Sequence, residues 1–181
     1  MIELIIGGAR SGKSAHALSL AEARDADLHF VATAQPADDE MAARIERHQR
    51  QRGARWNLIE EPRYLSRITE HFGETDVLLV DCLTLWLSNW LCSDMPKQGH
   101  DQGHEQWHEK WHEEKQNFQH GLQQSAAHWL LVSNEVGMGV TPTNRLSRQF
   151  IDESGWLHQE LAQIASRVTT MTHGIPHLLK S

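Results

Sequence analysis

Short apolar runs separated by polar stretches run the length of this chain, and their order predicts strands alternating with helices. Ile2–Ile6 reads as a first strand and Ser14–Ala23 as a first helix. Leu28–Thr33 reads as a second strand that closes in Ala32, Thr33, Ala34, Gln35 and Pro36. Asp38 or Asp39 is placed to N-cap a helix running to about Arg52, with Met41 and Ile45 marking its buried side. Trp56–Glu60 is a third strand, and Pro62 suits the first turn of a following helix. Asp76–Asp81 is a buried-type strand ending in a carboxylate, and Thr84–Leu91 should be a helix. Trp129–Ser133 is another strand, running into the glycine-rich loop Asn134–Val140. Asn144–Arg167 reads as a long helix, weakened locally by Gly155, with Leu146, Phe150, Leu157, Leu161, Ile164 and Val168 on its apolar side. Val168–Thr172 and Ile175–Leu179, around Gly174, read as a terminal pair of strands. The alternation points to an α/β fold with a mainly parallel sheet flanked by helices and a terminal antiparallel strand.

Bulk properties narrow the classes. A chain of 181 residues suggests one domain with a real core. A formal charge of −7 argues against a general nucleic-acid binder, which needs a basic face. No apolar run approaches the length needed to span a bilayer. No signal peptide is visible, since the chain goes straight into its first strand. Cys82 and Cys92 make no disulfide framework and read as reduced thiols in the cytoplasm.

The chemistry centres on Gly7, Gly8, Ala9, Arg10, Ser11, Gly12, Lys13 and Ser14, which fit the phosphate-loop pattern G-x-x-x-x-G-K-[ST] between a strand and a helix. Backbone N–H groups and the helix dipole there favour phosphate oxygens. Lys13 can reach the β- and γ-phosphates, and Ser14 can offer its hydroxyl to Mg²⁺. Asp81, closing its strand, is the expected second protein oxygen for Mg²⁺, although it could instead N-cap the next helix. His48 lies on a basic helix with Arg44, Arg47, Arg50 and Arg52. Those charges favour a neutral, nucleophilic imidazole and attract a triphosphate; the alternative is a solvated histidine. Glu60 could accept from a guanine edge or stand as a solvent-facing carboxylate. Asn134 and Glu135 sit at a strand end, where open α/β sheets bind ligands, so their loop is either a second-substrate site or a structural turn.

The polar segment 93–127 carries His100, His104, His108 and His112, four apart, with Glu105, Glu109 and Glu113 on an adjacent stripe. Histidines at that spacing can hold Zn²⁺, Ni²⁺ or Co²⁺ on one helix face. The plainer alternative is a solvated amphipathic helix of drifting low complexity.

Taken together, GGARSGKS at Gly7–Ser14, ATAQ at Ala32–Gln35, DDEMAARIERH at Asp38–His48, VDCLTLWLSN at Val80–Asn89 and SNEVGMGVTPTNRLSR at Ser133–Arg148 resemble the bifunctional adenosylcobinamide kinase / adenosylcobinamide-phosphate guanylyltransferase family of cobalamin synthesis. The resemblance implies a P-loop NTPase-like (RecA-like) fold and two reactions. Adenosylcobinamide is phosphorylated with ATP or GTP. GMP is then transferred from GTP to adenosylcobinamide phosphate through a guanylyl-histidine, giving adenosyl-GDP-cobinamide and pyrophosphate. It implies His48 as that histidine. It implies nucleotide contacts at Gly7–Ser14, Ala32, Thr33, Ala34, Gln49, Arg50, Gln51, Arg52, Glu60 and Asp81, with Mg²⁺ on Ser14 and Asp81. It also implies a homotrimer. Two positions depart from the family pattern: Arg52 is followed by Gly53 rather than proline, and His158 stands where asparagine is expected. The competing readings are a phosphate-loop small-molecule kinase without guanylyl transfer and a nucleotide-dependent metal-handling protein.

Overall fold

A computed structural model describes residues 1–35, 55–94 and 101–181. Its strands are β1 (Ile2–Gly7), β2 (Asp27–Ala32), β3 (Trp56–Glu60), β4 (Asp76–Asp81), β5 (His128–Asn134), β6 (Arg167–Thr172) and β7 (Ile175–Lys180). Its helices are α1 (Lys13–Glu22), α2 (Leu83–Asp94), α3 (Asp101–Gln124) and α4 (Arg145–Ile164). The strands form one seven-stranded sheet in the order β3-β2-β4-β5-β1-β6-β7. All neighbours are parallel except β6 and β7. The expected helix between Asp38 and Arg52, with the Arg52-Gly53 departure at its end, lies outside the described residues.

The central strands are apolar on both faces because helices cover both, and the period of two sorts their side chains. Ile5, Leu28, Phe30, Leu79, Leu130 and Val132 pack on one side against Ala17 and Ala21 of α1. Those small residues let α1 lie close to the sheet. Leu4, Val31, Leu78, Val80, Trp129 and Leu131 face the other way, onto α2, α3 and α4. That layer is aromatic: the Trp86 ring centroid lies 4.7 Å from Trp111 and 5.3 Å from Phe118. Edge-to-face pairs of this kind add to plain area burial.

Three expectations are corrected. The segment after Pro62 is a short 3₁₀ turn, Leu65–Ile68, rather than a helix beginning at Pro62. Glu61 Oε1 accepts from the Arg63 N–H at 3.0 Å and the Tyr64 N–H at 2.8 Å, which turns the chain tightly instead. The last helix stops at Ile164 rather than Arg167, because Ala165 leaves the helical region (ψ 137) and Arg167 already pairs with β1. Within the polar segment, α3 is a packed helix, not a solvated one. Trp107, Trp111, Phe118 and Leu122 are buried along it, as are Glu114 and Lys115. Glu114 accepts from the Ser66 N–H (2.9 Å) and hydroxyl (2.8 Å), and Lys115 donates to Glu160 at 2.8 Å. His108 and His112 are exposed. Among the described residues no group of three or more His, Cys, Asp or Glu could hold a metal ion. No helix among them is long and apolar enough to cross a membrane.

Candidate active site

The expected ligand groups that the structure describes gather where the parallel strands end. Gly7 ends β1, and the chain turns through Gly8–Gly12 into α1. A Cβ on Gly7 would fall 2.5 Å from Ser11 Oγ and 2.7 Å from the Met171 carbonyl, so only glycine fits. Gly12 sits at φ +93, and Arg10 also has positive φ (59). The Ser11 N–H closes the turn on the Gly8 carbonyl at 3.2 Å. No side chain caps α1, which leaves its first N–H groups to an anion.

Lys13 is buried, and its ammonium folds back onto the Gly8 carbonyl at 3.0 Å. Burial pushes its pKa below the usual lysine value, while the thiol of Cys82 and the carboxylate of Asp81 pull the other way. Ser14, next along α1, is half-buried, as is Asp81. One carboxylate, one hydroxyl and substrate phosphates are an ordinary set for Mg²⁺, so the residues fit that ion.

Three strand ends form a row. Ala32 is in register with Asp81 on one side and Glu60 on the other. The connections are pinned by side chains that sequence reading passed over. Thr33 Oγ1 donates to the Cys82 carbonyl and accepts from the Cys82 N–H, both at 2.8 Å. Asn89 Nδ2 donates to the Thr33 carbonyl at 2.7 Å and the Pro62 carbonyl at 2.9 Å, tying the segment after β2 to the one after β3. Asn89 closes the VDCLTLWLSN motif, but its two partners lie 56 and 27 residues away. Glu60 is exposed at the end of β3. His48, Gln49, Arg50, Gln51 and Arg52 lie outside the described residues.

Asn134 ends β5 beside Gly7, and the Glu135 N–H donates to the Gly7 carbonyl at 3.0 Å. Asn134 Nδ2 donates to Thr84 Oγ1 at 2.7 Å, and that hydroxyl lies 3.1 Å from Cys82 Sγ. Burial raises the Cys82 pKa, which keeps the thiol protonated. The loop that follows exposes Met138 and Val140 and borders a groove of about 390 Å³ lined by Leu91, Val136, Leu146, Phe150 and others.

His158 is buried behind this loop, its Nε2 2.7 Å from Ser133 Oγ. Burial pushes its pKa below the ordinary 6.5, with Glu135 opposing. The folded state thus resists a proton that the unfolded chain accepts near the ordinary value. Between the two pKa values the unfolded state binds more protons, so stability falls as pH drops through that window. His158→Asn is expected to lose less melting temperature than the wild type between about pH 7.5 and about pH 5.5. Equal slopes in thermal melts would remove His158 as the source.

The model of a family described as CobU, cobinamide kinase / cobinamide phosphate guanyltransferase, matches residues 3–179. The chain is 41% identical over 181 residues to a bifunctional adenosylcobalamin biosynthesis protein, CobP, of Pseudomonas aeruginosa, covering 99% of this chain and 98% of that one. It is 39% identical over 180 residues to the bifunctional adenosylcobalamin biosynthesis protein CobU of Salmonella typhimurium, covering 97% of each. Among solved structures, a type III secretion system ATPase of pathogenic bacteria aligns with TM-score 0.53 at 13% identity, over 94% of this chain and 51% of that one. The flagellar accessory protein FlaH of Methanocaldococcus jannaschii aligns with TM-score 0.50 at 14% identity, over 99% and 77%. These structural likenesses show a shared fold.

Proposed function

The chain belongs to the cobinamide kinase / cobinamide phosphate guanyltransferase family, and from that premise we propose that one phosphate loop serves two successive group transfers through different residues. In the first, the aminopropanol hydroxyl of adenosylcobinamide attacks the γ-phosphorus of ATP or GTP. The bond to the β–γ bridging oxygen breaks, and a nucleoside diphosphate leaves. Such a transfer needs positioning and charge neutralisation more than covalent help. The loop amides of Gly7–Ser14 and the Lys13 ammonium would supply these, and Ser14 with Asp81 would hold Mg²⁺, which would add charge neutralisation for the phosphates.

In the second, His48 attacks the α-phosphorus of GTP and pyrophosphate leaves. An oxygen of adenosylcobinamide phosphate then takes the GMP, and the phosphorus–nitrogen bond breaks. Covalent catalysis splits a hard exchange into two easier ones. Arg50 and Arg52, with Gln49 and Gln51, would steady the triphosphate, while Ala32, Thr33, Ala34 and Glu60 would hold the guanosine. The observation that carries this reading is the row Glu60, Ala32, Asp81 across neighbouring strand ends, with Lys13 buried on the phosphate loop.

The groove bordered by the Glu135–Val140 loop is the candidate seat of the corrinoid. A homo-oligomer, with the trimer implied by the resemblance, would cover exposed Met138, Val140, Ile175, Leu178 and Leu179. All seven described strands join one sheet, which supports a single domain over residues 1–181. Free Cys82 and Cys92 and the nucleotide substrates support a cytoplasmic setting. The test is labelling with GTP carrying ³²P at the α or γ position. Acid-labile label is expected from the α position alone. A protein that binds GTP and Mg²⁺ yet takes no label would be a kinase only.

A further inference from the structure

The turn joining β6 to β7 presses against the phosphate loop. The Gly174 N–H donates to the Ser11 carbonyl at 2.9 Å. Gly12 faces Gly174 so closely that a Cβ on Gly12 would lie 3.2 Å from the Gly174 Cα. Because β1 and β6 run side by side with Gly7 opposite Met171, the turn emerges at the same edge as the loop. A Cβ on Gly174 (φ +84) would meet nothing within 4 Å, so the turn keeps an open face. His173 stands at its tip, exposed, at φ +53, where hairpin chemistry favours asparagine.

A triphosphate on this loop has a direction. Lys13, and the Mg²⁺ that Ser14 and Asp81 would hold, act on the β- and γ-phosphates. Asp81 ends β4, on the β5 side of β1. The γ end therefore points towards β5 and β4, and the α-phosphate and nucleoside leave towards β6. Glu60 lies the opposite way, on β3, five strand spacings from β6, or about 24 Å. A nucleotide with its γ-phosphate at Asp81 in this pose cannot place its base beside Glu60.

The geometry points to two base sites flanking one phosphate loop. The His173–Gly174 turn takes the base and ribose of the purine nucleoside triphosphate that gives up its γ-phosphate. The Glu60 side takes the guanine of the GTP that gives up GMP. This rests on the nucleotide roles given above to the loop and to Glu60. An imidazole offers a flat face and no fixed pattern for a base edge, and stacking tolerates any base. Such a site accepts adenine and guanine alike.

The test measures the two reactions separately on the full chain, with ATP and cobinamide for phosphorylation and with GTP and cobinamide phosphate for guanylyl transfer. His173→Ala is expected to raise the KM for ATP about tenfold while leaving the KM for GTP in guanylyl transfer unchanged. His173→Asn suits positive φ and keeps the turn but lacks the aromatic face, so it should lose as much as alanine; His173→Tyr should recover most of the loss. A wild-type KM for ATP in His173→Asn, or an equal rise in both reactions, overturns the second base site. Lys13→Ala run alongside separates the two levels of the argument: normal ATP binding in that variant would overturn the loop's nucleotide role itself.

Discussion

His48→Ala is expected to take up no label from α-³²P-GTP and to lose guanylyl transfer by on the order of 10³-fold or more, while cobinamide phosphorylation stays within about threefold of the wild type. The asymmetry follows from which phosphorus reacts. In the proposed course, guanylyl transfer breaks the bond between the α- and β-phosphates, and His48 would hold GMP while pyrophosphate departs. Phosphorylation delivers the γ-phosphate straight to a hydroxyl and has no use for that nucleophile. The imidazole must be neutral to attack. His48→Asn should behave in the same way, since an amide makes no phosphoramidate with GMP. Equal loss of both activities in a folded variant would contradict the division of labour.

Lys13→Ala is expected to impair both reactions, each by on the order of 10²- to 10³-fold, with weaker nucleotide binding. Its ammonium sits buried against the Gly8 carbonyl, in place before any phosphate arrives. Burial lowers its pKa, with Cys82 and then Asp81 opposing that shift. Lys13→Arg should not restore activity, because a broad guanidinium fork does not fit a space shaped for a compact ammonium. Isothermal titration with GTP and Mg²⁺, alongside the two activity assays, checks this. Normal affinity in Lys13→Ala would count against the phosphate-loop assignment.

The phosphate loop was legible because its shape is local: glycine spacing, a lysine and a serine between a strand and a helix dictate it. The closing carboxylate of β4 and the terminal strand pair were legible for the same reason. What stayed hidden depends on partners far along the chain. The average polarity of the histidine-rich stretch masked the buried face of α3, where two indoles, Phe118 and Leu122 cover more area than their number suggests. Glu114 and Lys115 are buried only because Ser66 and Glu160 satisfy them. The contact of Gly174 with Ser11 joins the two ends of the chain, and a glycine in a hairpin turn gives no hint of it. His158 likewise depends on Ser133 at the end of another element.

The aromatic layer under the sheet makes the molecule its own optical probe. The indole N–H groups of Trp86 and Trp90 both donate to the Arg63 carbonyl, at 2.7 and 2.9 Å, three residues beyond Glu60. The Arg63 guanidinium also lies 4.3 Å from the Trp90 ring centroid. If guanine settles at Glu60 as proposed, any movement of this segment would alter the field around two buried fluorophores. Intrinsic emission should therefore shift on GTP binding at the Glu60 side without any label, and stay nearly still when ATP enters by the β6 side.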